Sequence, residues 1–91
     1  MSWRKLAGVS LPYEKQMLIR ATCALFDEQD EKMKKKILHI CDEVGGVHSA
    51  ALFAVMTSRR SVTAIAMDYY INESYLHQLR RRFFEAWESV Q

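Results

Sequence analysis

Proline occurs once and glycine three times in 91 residues, so little in the chain interrupts regular structure. No stretch of useful length alternates apolar and polar residues as a half-buried strand would. Cysteine is also sparse. Cys23 and Cys41 stand eighteen residues apart without a CxxC, and three scattered histidines do not complete a zinc set. No metal or cofactor is expected, and both thiols are expected to be buried and reduced. No apolar run has the length of a membrane span, and the opening MSWRKLAGVSLPYEKQ lacks the apolar segment of a signal peptide. These absences lead to an expectation of a cytoplasmic protein with no membrane partner. Charge of one sign is lacking too. Thirteen Lys and Arg against eleven Asp and Glu leave a net charge of +2, so position matters more than the total.

What is present is a core. Hydrophobic residues make up 49% of the chain and aromatics 11%, enough for one domain without crosslinks. The spacing predicts an all-α, single compact domain of about five helices with a C-terminal helix-turn-helix. Pro12 suits the first turn of a helix over 12–26, with Tyr13, Met17, Ala21, Ala24 and Leu25 as its apolar face. Asp30 can cap a second helix over 30–44, lined by Met33, Ile37, Cys41 and Val44 and ended by Gly45 and Gly46. Residues 47–57, VHSAALFAVMT, are apolar nearly all round and read as the buried central helix. Ser61 can cap a fourth helix over 61–70. A last helix over 73–89 carries Leu76, Leu79, Phe83 and Trp87 at three- and four-residue steps. Met17, Met33, Met56 and Met67 are read as core filler.

The break between the last two helices, YYINES, carries the functional reading. A DNA-binding helix-turn-helix needs a small residue where its second helix packs across the first, apolar inner faces, and a plug in the turn. Ala66 takes the small position, Ile65 and Tyr69 lie beside it, Ile71 plugs the turn, Leu76 and Leu79 anchor the second helix, and Asn72 can cap it. Tyr70 departs from the usual pattern, which often places glycine there for a left-handed backbone.

Outward residues point the same way. Asn72, Glu73, Ser74, His77, Gln78 and Arg81 fall on the expected exposed face of the second helix. Asn and Gln can bond adenine bidentately, and Arg does so with guanine. Arg59, Arg60, Thr63, Arg80 and Arg82 flank that face as candidates for phosphate contacts. Double-stranded DNA is therefore the expected partner.

Residues 47–83 resemble the PapB-type regulators of bacterial adhesin (fimbrial) operons. The likeness lies in an apolar helix after His48-Ser49, a Ser58-Arg59 pair, and the turn region Tyr69, Ile71, Asn72, Tyr75 and Leu76. Leu76 departs from the phenylalanine those regulators tend to carry. The layout is also similar to the small plasmid repressors of the KorA type. The resemblance implies transcriptional control in a bacterium or on a mobile element.

A single reading helix spans few base pairs, so a homodimer is expected, with Phe84, Trp87 and Val90 as interface candidates and the first helix (Leu18, Ile19, Phe26) as an addition. The alternative is a small helical protein-protein interaction module, such as a polymerase or sigma-factor regulator, using Tyr70, Tyr75, Phe84 and Trp87 as its contact patch. No glycine-rich phosphate loop or nucleophile-base motif occurs. Catalytic residues and a small-molecule ligand are therefore not expected.

Overall fold

Each helix in the computed structural model, which describes residues 11–89, begins or ends where a side chain or turn satisfies backbone groups the helix leaves unpaired. The first, α1 (Tyr13–Ala24), starts behind Pro12, whose carbonyl accepts from Gln16 N–H at 3.1 Å. At its far end the Gln29 side-chain amide donates to the Thr22 carbonyl at 3.1 Å. A 3-10 turn at Phe26–Glu28 leads to α2 (Glu31–Gly45). Its N-cap is Asp30, whose carboxylate accepts from Met33 N–H at 2.9 Å. Gly46, at φ +56°, ends α2 and opens a second 3-10 turn, Gly46–His48. Then come α3 (Ser49–Thr57), α4 (Val62–Tyr69) and α5 (Glu73–Ser89). Ser61 caps α4 by accepting from Ala64 N–H at 3.1 Å.

No strand occurs among the described residues, so the fold is all-helical. Its radius of gyration, 12.5 Å, is close to the roughly 12 Å of a folded chain this size. The packing follows from α3. Ala51, Leu52, Val55 and Met56 are buried and Phe53 and Ala54 half-buried, so most of the helix surface faces the core while Ala50 is exposed. It touches α1, α2, α4 and α5. Around it Ile37, Ile40, Ile65, Leu76, Leu79, Phe83 and Phe84 are fully buried. Cys23 and Cys41 are free, buried thiols, and burial pushes the pKa of each up to about 12. For Cys23 the charge of Cys41 adds to the rise and that of Arg20 opposes it. Both stay protonated at neutral pH.

Several sequence expectations need correction. The helix expected to run from 12 to 26 stops at Ala24, and two 3-10 turns subdivide the chain further than expected. The buried face of α1 is Gln16, Ile19 and Cys23, while Met17, Leu18, Ala21, Ala24 and Leu25 are exposed. Apolar residues occur on both sides of this helix, so periodicity alone could not choose. Gln16 can turn inward because its amide donates to the Leu11 carbonyl at 2.9 Å. Of the four methionines read as core, Met56 is buried and Met33 half-buried, but Met17 and Met67 are exposed.

Phe84 is the sharpest correction. Expected to project toward a second subunit, it is fully buried. The reason is the width of the buried face of α5, which packs against α1, α2, α3 and α4 together. An ion pair of Lys15 with Glu88 at 3.0 Å marks the α1 side, and Lys36 over the Trp87 ring at 4.2 Å marks the α2 side. Trp87 is half-buried there, beside Phe83. Val90 lies outside the described residues. Phe84→Ala should therefore cost about 3–5 kcal/mol, as truncation of a core aromatic does, read from urea unfolding. A loss below about 1 kcal/mol would mean that Phe84 is not core.

Candidate nucleic-acid interface

The corner between α4 and α5 is a three-residue connection, 70–72, that holds a helix stop and a helix start. The stop is Tyr70, in the left-handed conformation at φ 56° and ψ 44°. Its N–H donates to the Met67 carbonyl at 3.3 Å, and Ile71 N–H donates to the Ala66 carbonyl at 2.9 Å. This is the paired bonding of a Schellman motif, usually closed by glycine. Ile71 then turns back, half-buried, onto the core. The start is Asn72, whose side-chain oxygen accepts from Tyr75 N–H at 3.1 Å.

Packing fixes the relation of the two helices. Ile65 and Ala66 on α4 and Leu76 and Leu79 on α5 are all buried. A small residue at 66 lets α5 cross closely. Tyr69 was expected inside this corner but is 43% exposed, lining an open groove with Leu38, Phe53 and Ala54 instead.

With Leu76, Leu79, Phe83 and Phe84 inward, the helical period places Ser74, Gln78 and Arg81 along the opposite side of α5. Ser74 and Gln78 are exposed and Arg81 is half-buried. The other candidates for base contacts have local partners. Asn72 spends its side-chain oxygen on the cap. Glu73 and His77 lie together on one flank, their side chains 3.5 Å apart. On the other flank Tyr75 meets His48, ring centroids 5.6 Å apart.

The basic residues divide similarly. Arg59 and Arg82 are exposed, as is Thr63 in the first turn of α4. Arg60 forms an ion pair with Asp68, and its N–H donates to the Ser58 hydroxyl at 3.3 Å. Arg80 is half-buried, and burial followed by the charge of Arg20 lowers its pKa from the ordinary value. Nothing in the sequence connects Arg20, alone on α1, to this region. The patch expected for a protein-binding module is incomplete, because Phe84 is in the core and Trp87 lies beneath Lys36, although Tyr70 is 96% exposed.

No helix among the described residues is long and apolar enough to cross a membrane. Nor do three or more His, Cys, Asp or Glu residues there gather as metal ligands would. No family model, curated protein or solved structure matches the chain.

The turn yields a paired test. Tyr70→Gly should raise stability by about 0.5–1 kcal/mol, because it relieves the left-handed strain on a side chain that packs against almost nothing. Asn72→Ala should lower it by about 1 kcal/mol through loss of the cap. Both shifts would appear in the urea midpoint. Destabilisation by Tyr70→Gly would mean that the tyrosine ring holds the corner.

Proposed function

We propose that the chain is a sequence-specific, DNA-binding transcriptional regulator in which α4 and α5 act as a helix-turn-helix. The observation that carries the reading is the outward line Ser74, Gln78 and Arg81, beginning in the first turn of a capped helix. The major groove admits a helix, and those side chains offer the donors that distinguish base edges there. In this reading Gln78 bonds adenine, Arg81 bonds guanine, and Ser74 contacts either a base or a sugar. Glu73 and His77 act at the groove edge, and Asn72 holds the start of the helix. Arg59, Arg80, Arg82 and Thr63 engage phosphates. Arg60 serves first to tie the loop to α4 through Asp68, and turns to phosphate only by giving up that pair.

The resemblance of residues 47–83 to PapB-type adhesin-operon regulators supports the same reading. With it comes a place in the bacterial cytoplasm or on a mobile element. One reading helix covers too few base pairs to select a genomic site, so the regulator works as a dimer with half-sites about 34 Å apart. With Phe84 in the core, the exposed apolar residues Leu18 and Leu25, which lie away from Arg20, make that side of α1 the better interface candidate.

Selection of bound sequences from a random duplex pool, followed by titration of variants, tests the reading. Gln78→Ala and Arg81→Ala should each cost about 1–3 kcal/mol on the selected site and far less on random duplex, while Arg59→Ala should weaken both alike. Equal losses on both duplexes for Gln78→Ala and Arg81→Ala would overturn this division. Sedimentation at tens of micromolar should show a dimer when the selected duplex is bound; one subunit per operator would contradict the assembly.

A further inference from the structure

Two arginines from separate elements line one open groove of the fold, and a third stands on α5 outside that lining. Arg20 projects from α1, Arg59 from the connection between α3 and α4, and Arg80 from α5. Arg20 and Arg59 stand on the walls of an open groove of about 290 Å³, completed by Met17, Ala21, Ala24, Met56 and Ser58. Arg80 is half-buried, close enough to Arg20 for the two charges to oppose each other. Among the described residues, no carboxylate pairs with any of the three, whereas Lys15 and Arg60 have Glu88 and Asp68.

Like charges held together, one of them partly removed from water, are unfavourable unless an anion joins them. A guanidinium presents a planar fork that matches a phosphate in two parallel hydrogen bonds. The groove also holds Ser58, whose hydroxyl oxygen already accepts from Arg60 N–H and whose own proton remains free to donate. Arg59 stands three residues before the start of α4, so an anion in the groove would lie beside the connection that leads into the helix corner.

We propose that this groove seats one phosphate of a bound duplex, with Arg20 of α1 as a contact outside the two-helix corner. The assignment rests on the DNA-binding reading and adds to it a clamp on one strand, supplied by the N-terminal half of the chain. Arg59 holds the phosphate from the loop and Arg20 closes on it from the other wall, with the Ser58 hydroxyl between them as a further donor.

The test uses the full chain with Arg20→Ala and Arg20→Lys. Arg20 is exposed, so both variants should melt like the parent. Affinity for selected and random duplexes is measured from about 50 to 200 mM salt. Arg20→Ala should weaken both duplexes alike, roughly eight-fold near 0.1 M salt, and reduce the log–log salt slope by about 0.9, the value for one phosphate. Arg20→Lys should keep most of the slope. A second measurement needs no DNA. Inorganic phosphate should shift the side-chain Nε–H resonances of Arg20 and Arg59 together, and Arg20→Ala should abolish the response of Arg59. Duplex binding with an unchanged slope in Arg20→Ala overturns this site alone. A phosphate response in a protein that binds no duplex overturns the duplex as the source, together with the DNA-binding reading. No joint response of Arg20 and Arg59 to phosphate overturns the groove as an anion site.

Discussion

The whole architecture depends on one constraint, the burial of α3. A nine-residue helix reading SAALFAVMT has no polar face to offer water. The chain satisfies it by covering most of its surface, leaving Ala50 exposed and Phe53 and Ala54 on the wall of an open groove. The flanking helices therefore share a core, and each must turn its apolar stripe toward the same centre. Removing apolar area from water at roughly 25 cal/mol per Å² is what holds them there. The exposed ion pairs on the surface contribute little by comparison.

Burial of α3 also shapes α5. Four other helices lean on α5, so its buried face widens to include Phe84 and much of Trp87. What remains outside is narrow and polar, with the charged groups of Arg81, Arg82 and Glu85 beside Ser74 and Gln78. The same corner that fixes this orientation tolerates a strained tyrosine at position 70, held left-handed by two backbone hydrogen bonds. Local strain of this kind persists when surrounding packing dictates the backbone. Here the packing is that of Ile71 behind it and Ala66 and Leu76 beside it.

Much of this was legible in the sequence, for identifiable reasons. Asp30, Ser61 and Asn72 each act as the cap their side-chain chemistry suggests, because capping is a local interaction over three residues. The apolar character of α3 and the stop at Gly46 are local too. Errors arose where a long-range contact decided the outcome. Phe84 could not be placed without knowing that α1 covers that side of α5. The inner face of α1 could not be chosen while Leu18 and Ile19 were equally apolar neighbours. The pairings of Arg60 with Asp68 and Glu73 with His77 divert residues that looked free when taken singly. Arg20 gave no signal at all, since its relation to Arg59 and Arg80 exists only in the folded chain.

In the function proposed, the outward line of α5 is a reading surface for duplex DNA. The most direct measurement is the map of backbone amide shifts in the isotope-labelled protein as a selected duplex is added. The large changes should fall on Glu73–Arg82 and on the Ser58–Thr63 segment, with little change around Leu38, Val47 and Met67. Changes centred on Leu38, Met67 and Tyr70, or none anywhere at low salt, would contradict it.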